Sequence, residues 1–468
     1  MKRAKCDKAS RKHTIIKVLG ITALELVMLV SIAGAAQSTN VWFHKGNELM
    51  SSEKYNEAIK AYDKAIEINP HNSDAWYNKG LVLNHLNKSD EAIKAYKKAI
   101  EINPHNSSID CFHKGNELMS SEKHNEAIKA YDKAIEINLN NSSRDWYNKG
   151  NTLSSLGKSE EARKAYDKVI EINPNNSPID WYNKGNTLSS LGKSDDAIKA
   201  YNNAIEINPH YVDAWNNKGN ALSSLGKSDE AIKAYDKVIE INPHDSDAWT
   251  NKGLTLTTSS KYNEAIKALD KAIEINPHNS NTWIYKGNAL TNLNKSDEAI
   301  KAYNNAIEIN PNNSDAWTNK GLTLTILGKY NEAIKACDKA IEINPHNSIT
   351  WNNKGNALSS LGKSDEALKA YDKAIEIDPQ NSMCWTNKGL ILTFLGKYNE
   401  ARKACDKAIE INPQNSIAWI NKGLSLSSLG KYNEAIKAFD KAIEINPQDS
   451  AAWYNKAVTL NRLNKSNL

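Results

Sequence analysis

The sequence predicts an all-α fold: a tandem helix-turn-helix solenoid of about 12 repeats, with one further helix capping its C-terminal end. Three observations predict it. Glycine returns every 34 or 35 residues, from Gly46, Gly80 and Gly115 through to Gly423. All 12 tryptophans stand four residues before that register, from Trp42 to Trp453, and Cys111 is the one replacement. Proline follows the glycine by 24 residues, from Pro70 to Pro447, with Leu139 the one departure. Self-similarity at a fixed period outweighs the length of 468 residues, which alone suggests about three domains.

The unit around Gly219 shows how each element arises. Trp215, Gly219 and Leu222 fall on one face at helical spacing and predict a first helix, here called A. Gly226-Lys227 punctuates the chain. Ser228-Asp229-Glu230 then reads as the start of a second helix, B, with Ser228 as N-cap and two acids at the positive end of its dipole. Ala231, Ile232, Tyr235, Val238 and Ile239 make the apolar stripe of B, and Asn242-Pro243 stops it. One such hairpin cannot bury its apolar face alone, so the units must stack. The small Gly and Ala columns (Ala58, Ala92, Ala127 and onward) allow the paired helices to approach closely, beside Trp and Tyr. Lysine precedes the glycine (Lys45, Lys79, Lys114), where its stem can lie along the core and its amine reach outward. The loops after residues 104, 139 and 174 each carry one extra residue, which predicts a local irregularity of pitch between 104 and 185.

Twelve full units and a half unit in phase, from Thr39 to the C-terminus, resemble the tetratricopeptide-repeat family, with its Trp, Gly, Ala, aromatic and Pro at set offsets. The resemblance implies a right-handed superhelix of 12 helix pairs plus one helix, first helices lining a concave groove, and a role in binding proteins. It also implies that two A-helix columns project into the groove. One column lies two residues before the glycine: Asn78, Asn148, Asn183, Asn217, Asn251, Asn319, Asn353, Asn387 and Asn421, with His44, His113 and Tyr285 as exceptions. The other follows the glycine: Asn47, Asn116, Asn151, Asn186, Asn220, Asn288 and Asn356, and elsewhere Leu. An amide offers a donor and an acceptor together, so a row of them can pair with a peptide backbone whatever its side chains. The first column resembles the asparagine ladder of long members of the family and is the candidate partner-binding site, with its amides expected to face solvent. The family's carboxylate clamp needs Lys and Arg where this chain has Tyr77, Asn216, Thr250, Thr318 and Thr386, so no chaperone-tail role is expected.

Composition narrows the alternatives. The net charge of +5 resides wholly in residues 1–36, which carry seven bases and two acids; the remainder holds 53 of each sign. A nucleic-acid partner is therefore not expected, because the array has no surplus cation to displace phosphate counterions. The five cysteines form no CxxC pair, and Cys337 and Cys405 stand in a column otherwise mostly Tyr, as small core residues. His71, His105, His210, His244, His278 and His346 share one loop column, one per repeat, too far apart for a common metal; no metal and no cofactor is expected. The repeats use up the chain beyond the leader, and no phosphate loop, nucleophile elbow or triad appears, so the protein is expected not to be an enzyme.

Two regions complete this reading, residues 1–36 as leader and 39–468 as the array. A basic start followed by the apolar run Val18–Ala36 reads as a signal peptide or an uncleaved anchor, with Val18–Ala33 a separate helix; both place the repeats outside the cytoplasm and confine membrane contact to residues 18–36. Against insertion stands Glu25 in mid-segment. The binding scaffold has rivals in a self-assembling envelope solenoid and an accessory chain of an enzyme. The final half unit turns polar at Arg462 and Lys465 and reads as a cap, whereas no strongly polar cap precedes Trp42.

Overall fold

The computed structural model describes residue 28 and residues 34–104, 107–138, 143–173 and 177–466. Among them there are 12 A–B helix pairs and a last A-type helix, Ser450–Ser466, and no strand. Helix is already present from residue 34, so the first A helix runs upstream of the expected Thr39. No described helix is long and apolar enough to cross a membrane; the expected separate helix Val18–Ala33 lies, Met28 apart, outside the described residues. The chain forms two compact units, Met1–Leu225 and Gly226–Leu468. In each, A helices of 13 residues alternate with B helices of 14, as in Ser73–His85 followed by Ser89–Ile102, and Ser246–Thr258 followed by Tyr262–Ile275.

The helix ends follow two rules, one of them not foreseen. Most A helices are capped by Asn or Asp: the side chains of Asn72, Asp245, Asn313 and Asn415 accept the backbone N–H of Ala75, Ala248, Ala316 and Ala418, while Ser177 caps Pro178–Ser190, and Ser107 and Tyr211 make no side-chain cap bond. B helices have no side-chain cap. The expected N-cap Ser228 is the first helical residue, and the half-in residue is Lys227. The turn before it explains this. The residue before that Lys takes a left-handed conformation throughout the array, as at Gly226, φ +73°. That geometry swings the chain into B one residue earlier, and the acids of the first turn, Asp229 and Glu230, then face the helix dipole.

The core is a column of alanines and one large residue per B helix. Ala58, Ala61, Tyr62 and Ala65, and likewise Ala299, Ala302, Tyr303 and Ala306, are all but fully buried. Cys337 and Cys405 take the Tyr position and are fully buried, as expected for small core residues; burial pushes each thiol up to about 12. The tryptophans stand at the edge of this core and join the ends of the repeat: the indole N–H of Trp76, Trp249 and Trp419 donates to the carbonyl of Pro70, Pro243 and Pro413 at 3.0–3.2 Å. The lysine before the glycine lies over its own Trp, Nζ of Lys252 5.3 Å from the Trp249 ring, and pairs with an Asp of the preceding B helix, Asp236, at 2.6 Å. The same bridge joins Lys79 to Asp63 and Lys422 to Asp406. The amine thus ties two repeats together rather than reaching into open solvent.

The extra loop residues fall at 105–106, 139–142 and 174–176, outside the described residues. Across the second and third of these loops the lysine bridges persist, Lys149 to Asp132 and Lys184 to Asp167. In these contacts the repeats pair as those after residue 212 do.

The left-handed turn position is glycine in seven repeats, but Glu53, Asn87, Glu122, Ser260 and Asn294 in the others, at φ of 57–61°. A side chain with a Cβ there costs about 1 kcal/mol relative to glycine. Glu53→Gly, Glu122→Gly and Ser260→Gly are each expected to raise stability by up to about 1 kcal/mol, read as a higher urea midpoint at unchanged m-value. The same change at Asn87, a residue that tolerates this conformation, should gain less.

Candidate functional site

The A-helix face is built upward from the glycine column. A Cβ added at Gly46 would stand 2.5 Å from a ring carbon of Tyr62, and one at Gly80 2.6 Å from Tyr96. Only glycine lets the B-helix ring lie flat on the A backbone. The ring then passes beyond the A helix, and its hydroxyl meets the residue after the glycine. Tyr62, Tyr131, Tyr166, Tyr201, Tyr303 and Tyr371 donate to Oδ1 of Asn47, Asn116, Asn151, Asn186, Asn288 and Asn356 at 2.6–2.9 Å. Burial pushes the Tyr62 phenol up to about 12, so these hydroxyls keep their protons.

Those same Oδ1 atoms receive a second donor from the next repeat, and here the predicted site residues appear. Asn78 Nδ2 donates to Asn47 at 2.9 Å, Asn148 to Asn116 at 3.3 Å, Asn217 to Asn186 at 2.8 Å, Asn319 to Asn288 at 3.1 Å and Asn387 to Asn356 at 3.1 Å. Asn183 instead meets the Tyr147 hydroxyl at 3.2 Å, and Asn421, which is buried, reaches the Thr386 carbonyl at 3.3 Å. Asn251 is half-buried in the same column. Asn353 is buried and its Nδ2 has no hydrogen-bond partner; the residue after the preceding glycine is Leu322, which offers no acceptor.

The expectation of amides facing only solvent is therefore corrected. Most of the row is anchored across the repeat boundary, because the amide of the preceding repeat lies within reach. Removing such an amide loses an inter-repeat hydrogen bond worth about 0.5–1.5 kcal/mol. What the anchoring leaves is orientation: among the described residues, no Oδ1 of the predicted row accepts a hydrogen bond. The carbonyl ends stay unengaged; Asn78, Asn148, Asn183 and Asn319 each make one such bond, whereas Asn217 and Asn387 donate a second, to the Tyr182 hydroxyl and to Asn352 Oδ1.

Sequence reasoning missed the Tyr–Asn coupling, although the signal was present. Wherever the residue after the glycine is Asn, the B-helix residue is Tyr. Wherever it is Leu, the B-helix residue is Leu269, Cys337, Cys405 or Phe439, with one exception: Leu81 is paired with Tyr96. The Tyr96 hydroxyl is buried and has no partner.

Sequence reasoning also missed a run of carboxylates. Asp110, Asp145 and Asp180 fill a column, five before the glycine, that is Ala75, Ala248 and Ala316 elsewhere. Asp145 and Asp180 are 4% and 9% exposed. Burial raises the carboxyls of both, and burial together with the charge of Asp74 pushes Asp110 up to about 6.

With this geometry in place, comparison with known families gives a single answer. Models of the tetratricopeptide repeat match residues 73–106, 143–176, 179–211 and six further consecutive spans from 212 to 415, then 416–449; related repeat models match 46–86, 111–141 and 438–468. The chain belongs to the tetratricopeptide-repeat family. No curated protein matches this tetratricopeptide chain. Among solved structures it is similar to the APC/C hetero-tetramer Cut9-Hcn1, at 13% identity and a TM-score of 0.47 over 92% of this chain and 98% of that one. It is similar to yeast Tom70 at 17% identity and a TM-score of 0.45, over 91% and 96%. It is also similar to YrrB, a TPR protein with an unusual peptide-binding site, at 25% identity and a TM-score of 0.34, over 41% and 99%.

Two outcomes follow from these environments. Tyr303→Phe is expected to destabilise the tetratricopeptide array by about 1 kcal/mol, since it removes a satisfied hydroxyl. Tyr96→Phe should leave stability unchanged or raise it by about 1 kcal/mol, since it removes an orphaned one; chemical denaturation of the two variants compares the signs directly. The second concerns pH. A carboxyl raised on folding gives no penalty below its unfolded value near 4, and the penalty grows as pH rises through about 6. Asp110→Asn should match wild type at pH 4 and exceed it at pH 7.5 by on the order of 1–2 kcal/mol, read from denaturant midpoints across that range.

Proposed function

We propose that this tetratricopeptide chain is a non-catalytic scaffold whose A-helix faces hold extended polypeptide through the anchored asparagine row. The observation that carries the reading is the state of the row itself. Its amides are fixed by bonds to the neighbouring repeat, yet keep their carbonyl oxygens unengaged. A fixed acceptor is matched to the N–H of a peptide unit, and where one amide N–H is unspent, as at Asn148 and Asn319, to its C=O as well; prior fixation lowers the ordering cost of binding. Asn78, Asn148, Asn183, Asn217, Asn319 and Asn387 are the residues of this grip; Asn251, Asn353 and Asn421 continue the column.

Membership of the family supports a protein or peptide partner. The basic leader with its apolar run supports export, by a cleaved signal or an anchor, which would present the array outside the cytoplasm. A second reading, self-association, is favoured by one observation. The final helix was expected to be a polar cap, but it exposes Trp453, Tyr454 and Leu460 at 50%, 69% and 39%. No B helix covers that face among the described residues.

The test uses a random library of unstructured decapeptides. Peptides retained by the full chain should lose binding at least tenfold when alternate backbone nitrogens are N-methylated, and should tolerate most side-chain changes. Asn217→Ala and Asn319→Ala together should weaken binding about tenfold at equal foldedness by circular dichroism, whereas raising salt from 50 to 500 mM should change it little. Retention that is indifferent to N-methylation rejects the ladder. A concentration-dependent mass by light scattering, abolished by Trp453→Ser with Tyr454→Ser, would favour the second reading.

A further inference from the structure

The junction between successive A helices brings the residue three before one glycine against the residue five before the next. In the second unit this contact is closed. Thr250 and Thr282 share a hydrogen bond at 2.9 Å, as do Thr318 and Thr350 at 2.7 Å, and all four side chains are buried. In the first unit the same two columns carry Tyr77, Phe112 and Tyr147 against Asp110, Asp145 and Asp180. At the last of these junctions the contact is open: Tyr147 and Asp180 line a cavity of about 270 Å³ with Ser143, Arg144, Val169 and Ile179.

Asp180 is 9% exposed, lines that cavity, and its carboxylate has no hydrogen-bond or ion-pair partner among the described residues. Arg144 does not supply one. Its guanidinium lies 3.7 Å over the Phe112 ring, towards the preceding repeat, and burial alone acts on Asp180. A buried carboxylate without a counter-charge is costly, and the fold offers no compensation here beyond the first turn of the helix Pro178–Ser190. The Tyr147 hydroxyl accepts the amide of Asn183, so the cavity adjoins the asparagine row. Each water takes up about 30 Å³, so the space holds several waters or one butylammonium arm.

We propose that Tyr147 and Asp180 form a socket for a lysine side chain of the polypeptide held on the A helices. The ammonium pairs with the Asp180 carboxylate, the Tyr147 ring lies beside the cation, and the methylene stem lies along Val169 and Ile179. This inference rests on the scaffold reading and adds to it one position of side-chain selection.

The socket is tested first without any peptide. The thermal midpoint of the full chain is followed in n-butylammonium chloride to 200 mM, against sodium chloride and tetramethylammonium chloride at equal ionic strength. Wild type should gain several degrees from butylammonium beyond either control, and Asp180→Asn should lose that increment while folding at least as well without ligand. Equal response of wild type and variant, or no response beyond the salts, overturns the socket. The decapeptide library is then rebuilt with its central residue fixed as lysine, acetyl-lysine or norleucine. Lysine should be preferred at least tenfold by wild type and not by Asp180→Asn. Peptides that bind with no central preference overturn the socket and leave the scaffold standing. A butylammonium response with no peptide binding, and with spermidine competing, would remove the polypeptide and leave a polyamine site.

Discussion

The absence of a side chain at one position per repeat governs the rest of this structure. A Cβ on the recurring glycine would overlap the Tyr, Leu, Cys or Phe of the facing B helix, at 2.5–2.8 Å from its nearest atom at Gly46, Gly150, Gly321 and Gly423. Because the backbone is bare there, an aromatic ring can cross the A helix and still be fully buried. Its hydroxyl emerges on the far side, and an asparagine receives it. That asparagine accepts a second proton from the amide of the next repeat. A steric allowance inside one hairpin thus fixes polar groups on the face between hairpins, through two hydrogen bonds in series. Chains of this kind are more sensitive to loss of one member than isolated bonds, because the remaining buried groups are left unpaired.

Duplication acts on this linkage as a unit. Repeats carrying Asn after the glycine carry Tyr in B, and repeats carrying Leu carry an apolar residue or Cys. The Leu81–Tyr96 repeat breaks the pairing and leaves a buried hydroxyl without partner. The effect reaches the following boundary as well. After Leu322 the amide of Asn353 is unpaired, and after Leu390 that of Asn421 turns to a backbone carbonyl. Where the preceding repeat carries Leu, the row therefore loses its asparagine-to-asparagine anchor.

The fold was legible because its determinants are columns. Trp, Gly, Ala and Pro at fixed offsets define helices, turns and stacking without reference to any distant residue, and the half-unit at Trp453 falls where the period places it. What was not legible depends on three-dimensional neighbours. Ser228 carries the chemistry of an N-cap, but the left-handed Gly226 brings the chain into the helix before it. The lysine column looked like a set of snorkelling amines until the Asp of the preceding B helix was brought to 2.6 Å. The asparagine row was legible as a row, and its half-spent hydrogen-bonding capacity was not, because the partner lies 31 residues earlier. The carboxylates at 110, 145 and 180 were visible only as the ends of irregular loops; their burial comes from helix packing that restores the repeat register after the insertion.

The two units offer a ligand different surfaces despite sharing one repeat. Where A helices meet in the second unit, threonine hydroxyls satisfy one another and close the seam, and Ile284 and Ile420 extend it with apolar surface. On the proposed reading, a peptide there would meet amides and little else, which favours recognition of backbone. In the first unit the seam carries tyrosines against carboxylates, and at Tyr147 and Asp180 it opens. Polar side chains that satisfy one another contribute to stability and are unavailable for recognition; those left unsatisfied reduce stability and are available. The acids of the first unit, raised by burial and at Asp110 also by the charge of Asp74, are on the second side of that division. If the proposed socket holds, a duplicated scaffold would in this way keep general backbone affinity along its repeats and concentrate side-chain selection where one seam has been left open.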